Sequence, residues 1–250
     1  MTTIALIQAR MTSTRLPGKV LLDIFGRPML IRVVERVRAG QTIDVAAVIT
    51  SNHESDNLIE ECCGREGIPC FRGSLDDVLD RYYQAALHYR GDVIVRITAD
   101  CPLIDPDVVD RTVKYFQEGS FDYVSNTIEL TYPDGLDTEV FSFATLERAW
   151  KEARLKSERE HVTAYIYKHP EIFALGCVKN EEDLSSHRWT VDTPQDLDFV
   201  RAVYDYFNDR PFGMTDILKY LEEHPEVAAL NKGQMRNEGY LKSLQEDAQI

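Results

Sequence analysis

Along the chain, short solid apolar runs alternate with longer stretches whose apolar residues return at helical spacing. Residues 4–8 form the first solid run and read as a buried strand, with a long basic loop behind it. Residues 28–38 carry Leu30, Val33, Val34 and Val37 on one helical stripe, and Pro28 suits the first turn of that helix. The alternation continues with a strand at 45–50, a helix at 56–66, a short strand at 69–72 and a helix at 75–88. A strand at 93–98 follows, then a helix opened by Asp105-Pro106 that runs to residue 118. Strand and helix in this order imply a mostly parallel sheet covered by helices.

The second half is less regular. Residues 123–125 and 136–141 read as strands around the turn Tyr132-Pro133-Asp134-Gly135, residues 144–153 and 158–168 as helices, and 173–178 as a strand. A short strand is expected at 188–191. Thr193-Pro194-Gln195-Asp196 has the form of a capping box with proline at the first helical position, and opens a helix reaching residue 207. One more helix is expected at 215–223, and the polar tail after His224 is expected to be loosely held. No repeat, low-complexity tract or linker divides the chain. The expectation is one domain over 1–250, with a core over 1–210 and a helical C-terminal extension over 211–250.

Composition narrows the class. A chain of 250 residues with 44% hydrophobic residues can bury a sizeable core and is not a disordered polymer. Its 28 Lys and Arg against 42 Asp and Glu give a net charge of −14, which argues against a surface that coats nucleic acid or an anionic membrane. No segment approaches the roughly 18 consecutive apolar residues of a membrane span. The first ten residues have no basic leader and too short an apolar run for an export signal. The five cysteines, Cys62, Cys63, Cys70, Cys101 and Cys177, lack zinc spacing and are expected to be reduced thiols in a cytoplasmic protein.

Against that acidic background, the loop after the first strand is cationic. The first acidic residue of the chain is Asp23, so residues 1–22 carry Arg10, Arg15 and Lys19 with no compensating charge. In α/β sheets ligands bind at the carboxyl ends of strands, where this loop must lie. Three cations with Ser and Thr hydroxyls and a glycine suit a polyphosphate. The loop is neither a P-loop, because Gly18-Lys19 precedes Val20 and the earlier glycine is missing, nor a GxGxxG dinucleotide fingerprint.

The run over residues 7–22 (IQARMTSTRLPGKVLL), with Gly26-Arg27-Pro28-Met29 behind it, resembles the N-terminal signature of the CMP-sugar synthetases. It is similar to the 3-deoxy-manno-octulosonate cytidylyltransferases and more similar to the spore-coat polysaccharide biosynthesis protein F (SpsF-like) cytidylyltransferases. Further segments match the latter in order: Phe71-Arg72-Gly73-Ser74 with Asp77-Val78-Leu79-Asp80-Arg81, then Thr98-Ala99-Asp100-Cys101-Pro102-Leu103-Ile104, and Asp134-Gly135-Leu136-Asp137. Glu158-Arg159-Glu160-His161-Val162 and Trp189-Thr190-Val191-Asp192-Thr193-Pro194 complete a likeness that spans residues 4–200.

The resemblance implies a three-layer α/β/α nucleotide-diphospho-sugar transferase fold, Rossmann-like and GT-A-like. It implies transfer of CMP from CTP to a small acceptor with release of pyrophosphate, dependence on Mg²⁺, and a homodimer. It further implies that Arg10, Arg15 and Lys19 hold the triphosphate and that Ala9 and Ser13 contact the nucleotide. Arg72 and Ser74 would lie near the base and ribose, and Asp100 and Asp192 would be the metal-binding carboxylates.

Residue by residue, bland readings stand beside these. Asp100 at a strand end suits Mg²⁺ or a simple turn cap. Asp192 suits Mg²⁺ if Thr193 caps the next helix and Asp196 completes the box, leaving Asp192 to point at a ligand. The stretch 158–161 is an acceptor or dimer contact, or a charged solvated face, and His161 is a candidate general base. Arg188 could meet an anionic acceptor. The acceptor is a keto-sugar acid, a sugar phosphate or a phosphonate, in surface polysaccharide or glycoconjugate synthesis. The alternatives are a sugar-1-phosphate nucleotidyltransferase using another NTP, a non-catalytic nucleotide-binding partner, and a glycosyltransferase of the same general fold.

Overall fold

Strand β1 (Thr3–Gln8) divides its apolar side chains between two cores: Ala5 and Ile7 enter one cluster, Ile4 and Leu6 the other. A strand buried on both faces belongs at the centre of a layered sheet, and β1 lies between β4 (Val45–Ser51) and β6 (Val93–Thr98), parallel to both. The computed structural model describes residues 1–233 together with Arg236, Tyr240, Ser243, Leu244 and Asp247. Its large sheet has the order β5-β4-β1-β6-β8-β7-β9, with β5 at Cys70–Gly73, β7 at Tyr123–Ser125, β8 at Glu139–Ser142 and β9 at Leu175–Cys177. Strand β8 alone in this sheet runs against its neighbours. A small hairpin of β2 (Asp23–Ile24) and β3 (Arg27–Pro28) follows the cationic loop.

Helices cover both faces. On the Ala5 and Ile7 face lie α1 (Met29–Arg38), α2 (Asn57–Arg65), α4 (Pro106–Glu118), α8 (Pro194–Phe207) and α9 (Met214–Glu223). On the other lie α3 (Val78–Tyr89), α5 (Phe143–Glu152) and α7 (Ala164–Lys168), with α6 (Lys156–Glu160) against α3. A last turn, α10 (Pro225–Ala228), follows α9. This is the expected three-layer α/β/α arrangement around a mostly parallel sheet. Among the described residues no helix is long and apolar enough to cross a membrane.

The departures have local causes. Pro28 is the residue before α1 rather than in its first turn, because it pairs with Asp23 in the hairpin. The helix expected over 158–168 is two short ones, broken where Val162 takes φ 58°, a conformation that β-branched residues resist. No strand forms at 188–191; that segment makes one parallel bridge, Asp134 to Arg188. The tail after His224 bonds back to the rest of the chain at three described positions. Asn231 is buried and donates to Arg188 O at 2.9 Å and Asp196 Oδ1 at 3.0 Å, Arg236 Nη2 meets Asp137 Oδ1 at 2.7 Å, and Asp247 Oδ1 accepts from Ser157 N at 3.1 Å. Of the helical extension expected over 211–250, α9 and α10 fall within the described residues; most of 234–250 lies outside them.

Candidate active site

The loop over residues 9–18 leaves the end of β1 between the ends of β4 and β6. Ala9 is buried and its N–H donates to Ile49 O at 3.0 Å, which ties the loop's start to the end of β4. The Met11 carbonyl accepts from Ser13 N and Gly18 N, both at 3.0 Å, so the loop closes on itself. Gly18 sits at φ 70°, a left-handed conformation that glycine adopts without strain, and turns the chain into one helical turn at Lys19–Leu21. Lys19 is thereby aimed inward, with its side chain only 8% exposed. Its ammonium donates to Asp100 Oδ2 at 2.8 Å, Val191 O at 2.7 Å and Asp192 Oδ1 at 2.9 Å. Arg15 Nη2 joins Asp192 Oδ1 at 2.8 Å, the Arg10 side chain is exposed, and Ser13 Oγ accepts from Leu16 N at 3.5 Å.

The two carboxylates arrive from different elements. Asp100 follows β6; Asp192 precedes α8, where Thr193 is the cap and Asp196 the reciprocal partner, as the capping pattern implies. Burial would push the Asp100 carboxyl up, but the Lys19 ammonium outweighs it and holds the group at about 2. Burial likewise works against the Lys19 charge, and Asp100 and Asp192 together override it. The site is therefore ionised on both sides.

Contacts between distant segments complete the site. Arg188 is encircled by Asp134 Oδ2 at 2.9 Å, Asp192 Oδ2 at 2.7 Å and Asp196 Oδ1 at 3.0 Å. That corrects its expected role: the guanidinium fixes Asp192 and is not available to an acceptor's anion. Gly135 carries φ 114° and packs on the chain at 189–190, which holds Asp134 beside Arg188. The motif over 134–137 was visible in the sequence, but its ion pairs with Arg188 and Arg236 span about 50 to 100 residues and could not be read from it.

Two further expectations change. Arg72 does not face a base: its donors are taken by Ser51 O, Asn57 Oδ1, Glu60 Oε2 and His53 O at 2.6 to 2.9 Å, so it binds β5 to the turn after β4. Ser74 stands beside it and accepts from Asp77 N at 3.0 Å. The stretch 158–161 is no solvated face. Glu158 is buried and caps α6 through Arg154 N and Leu155 N, Arg159 pairs with Asp77, and His161 Nε2 lies 3.0 Å from Ser243 Oγ.

His161 also lines a cavity of about 490 Å³ with Arg96, Tyr123, Asp137, Thr163 and Tyr240. At its floor Glu139 Oε1 accepts from Tyr123 and Thr163 hydroxyls, both at 2.6 Å, while Glu139 Oε2 meets Arg96. Burial lowers the His161 imidazole and, despite Arg236, raises the Asp137 carboxyl. Arg236 keeps Nε and Nη1 buried without a hydrogen-bond partner.

Oxygen donors suit a hard cation. Among the described residues no three His, Cys, Asp or Glu side chains converge to enclose a metal on their own. Two carboxylates that already share one cation, Lys19, fit Mg²⁺, which takes one or two carboxylates and completes its shell with water and phosphate oxygens.

A mostly parallel sheet with a cationic loop at its strand ends, facing the carboxylates of Asp100 and Asp192, is the arrangement of a nucleotidyltransferase. The sequence profile of the cytidylyltransferases matches residues 4–236, and the chain belongs to that family. It is 39% identical over 239 residues to the uncharacterised protein MJ1063 of Methanocaldococcus jannaschii, covering 95% of this chain and 97% of that one. It is 34% identical over 232 residues to the spore coat polysaccharide biosynthesis protein SpsF of Bacillus subtilis, covering 89% and 95%. The solved structure of a cytidylyltransferase from Leptospira borgpetersenii superposes with a TM-score of 0.88 at 34% identity, covering 94% of this chain and 98% of that one. The chain is accordingly a CTP-dependent nucleotidyltransferase of the nucleotide-diphospho-sugar transferase fold.

Proposed function

We propose that the chain transfers CMP from CTP to a sugar-sized acceptor, with Arg10, Arg15 and Lys19 on the triphosphate and Asp100 and Asp192 as ligands of Mg²⁺. The observation that carries this reading is the buried Lys19 ammonium shared by Asp100 and Asp192. A cationic loop at the strand ends, facing two aspartates, is the arrangement a metal-bound polyphosphate needs. Ala9, at the end of β1, and Ser13 complete the nucleotide contacts, with Ser74 toward the ribose. Mg²⁺, when bound, would offset the negative charge of the phosphates.

In this reading the acceptor fills the cavity lined by Asp137, Thr163, His161 and Tyr240. An acceptor oxygen attacks the α-phosphorus. A new P–O bond forms as the bond to the bridging oxygen of the β-phosphate breaks, and pyrophosphate leaves with that electron pair. Arg10, Arg15 and Lys19 oppose the charge that grows on it. If the acceptor presents a hydroxyl, Asp137, a carboxyl of the cavity lining that burial raises, takes its proton. The dianion of a phosphate or phosphonate attacks without a base.

The same reading makes the enzyme a cytoplasmic homodimer that supplies CMP-activated sugars for surface polysaccharide or glycoconjugate synthesis. The five unpaired cysteines suit a reducing compartment. The test is a thermal-shift panel of CTP, UTP, GTP and ATP with and without Mg²⁺, followed by pyrophosphate release with 3-deoxy-manno-octulosonate, a sugar 1-phosphate and a phosphonate. Selective stabilisation by CTP with Mg²⁺ and release with one acceptor class are expected. A larger shift with another nucleotide would reassign the base, and no shift at all would overturn the reading.

A further inference from the structure

One buried carboxylate outside the proposed chemistry is tied directly to the cationic loop. Asp56 has no exposure to solvent, and Oδ1 accepts the Met11 N–H at 2.9 Å across 45 residues. Its Oδ2 accepts from Thr50 Oγ1 at 3.0 Å, from Ser51 N at 3.1 Å and from Ser51 Oγ. Burial would raise this carboxyl, but the donors of Ser51, Met11 and Thr50 together lower it, so the group is a charged, fully engaged acceptor.

What it holds gives it a role. The Met11 peptide is the junction of the loop: its N–H goes to Asp56, while its carbonyl gathers Ser13 N and Gly18 N. Gly18 is the left-handed turn that sends Lys19 to Asp100 and Asp192, and Arg15 lies within the closed segment. Asp56 is thus bonded on one side to the end of β4 and on the other to the peptide on which the whole loop closes.

We infer that Asp56 is a positioning residue for nucleotide binding, acting through the Met11 peptide to fix Ser13, Arg15 and Lys19 in place before the ligand arrives. It rests on the reading that this loop grips the triphosphate. Preformed donors bind an anion without first being ordered, so loosening the loop lowers affinity even though no contact atom is lost.

Asp110 supplies a matched control. It too is a buried carboxylate that holds a loop, taking Gln41 N, Thr42 N and Thr42 Oγ1, but that loop enters β4 at the sheet end away from the site. The experiment compares Asp56→Ala, Asp56→Asn and Asp110→Ala by backbone amide hydrogen exchange and by CTP affinity with Mg²⁺. Asp56→Ala is expected to speed exchange over residues 11–19 and to weaken CTP by about tenfold or more. Asp110→Ala is expected to speed exchange over 40–42 and leave CTP affinity unchanged. Asp56→Asn, which keeps the side-chain shape and one oxygen, carries the same test if the alanine variant does not fold. A folded Asp56 variant that leaves exchange at 11–19 unchanged, or speeds it with CTP affinity intact, overturns the inference. So does equal loss of affinity in Asp110→Ala. An unmodified chain that binds no CTP would sink the nucleotide reading instead, while the exchange comparison would still decide whether Asp56 holds the loop.

Discussion

The Lys19 ammonium lies 2.8 Å from Asp100 Oδ2, across 81 residues of chain, and this contact joins the two motifs on which the site is built. A lysine this buried keeps its charge only because carboxylates surround it, and removing one partner from such a group leaves the others uncompensated. With Arg15 also on Asp192, the loop and the carboxylates neutralise each other. Arrival of a triphosphate with Mg²⁺ adds both signs of charge, so the site can accept the pair more readily than either alone.

Lys19→Ala should therefore lower pyrophosphate release roughly 10²–10³-fold, the effect of deleting one preorganised electrostatic contact to a transition state. Circular dichroism should show a folded chain, because the core layers do not depend on this side chain. Near-normal turnover in that folded variant would remove Lys19 from the chemistry.

Asp100→Asn separates metal from nucleotide. Amide oxygen is a poorer ligand for Mg²⁺ than carboxylate, while Arg10, Arg15 and Lys19 remain. The thermal shift produced by CTP alone should survive, and the additional shift on adding Mg²⁺ should vanish. Chelation of the unmodified enzyme should likewise stop turnover, and Mg²⁺ should restore it. An Asp100→Asn chain with a full Mg²⁺ increment would exclude this carboxylate as a ligand.

Much of this arrangement is legible in the chain because its causes are local. The apolar alternation of β1, the repeated strand–helix order and the Thr193 capping box each act over a few residues, and each leads to the element observed. The excess of cations over residues 1–22 marked the loop for the same reason. What the sequence hides is pairing at a distance. Arg72 has the spacing of a ligand contact yet is consumed by the turn after β4, and Arg188 is consumed by three aspartates. Asp56 and Arg236 show nothing in spacing that points to Met11 and Asp137, which lie 45 and 99 residues away. The break at Val162 leaves no mark in the sequence, because helical periodicity continues across it.

Asp56 should be visible in the acid limb of stability. Its folded carboxyl lies below the ordinary carboxylate value, so the unfolded chain binds its proton first as pH falls. The stabilisation is present above about pH 4, near the unfolded value, and is lost as pH drops through the lower folded value. Denaturant unfolding from pH 6 to pH 2.5 should show a shallower loss for Asp56→Asn than for the unmodified chain. Parallel curves would mean that the carboxyl is not held down.

Arg236 tests the acceptor cavity independently of the nucleotide. Its Nη2 bonds Asp137, a residue of the cavity lining, and its Nε lies 3.6 Å from Asp134 Oδ1, so it holds the Asp137 carboxylate in place for the acceptor. Arg236→Ala should raise KM for the acceptor about tenfold, the scale of one charged hydrogen bond, with KM for CTP unchanged. Equal increases in both KM values would move Arg236 to the nucleotide side.

Gly135 offers the sharpest structural test. At φ 114° it occupies a conformation that side chains rarely adopt, and an added Cβ would lie 2.6 Å from both Thr190 N and Trp189 C. Those atoms are backbone, held by Trp189 N donating to Asp134 O at 2.6 Å and Val191 N to Asp100 O at 2.8 Å, so they cannot rotate aside. The segment they belong to carries Arg188 and Asp192 into the site. Gly135→Ala should cost about 3 kcal/mol in denaturant unfolding, combining backbone strain with a main-chain clash. Because relief of the clash must shift residues 189–192, the folded fraction should also lose the Mg²⁺-dependent part of CTP binding. A stable Gly135→Ala chain with intact Mg²⁺ dependence would show that Asp192 does not need this packing to reach its place beside Lys19.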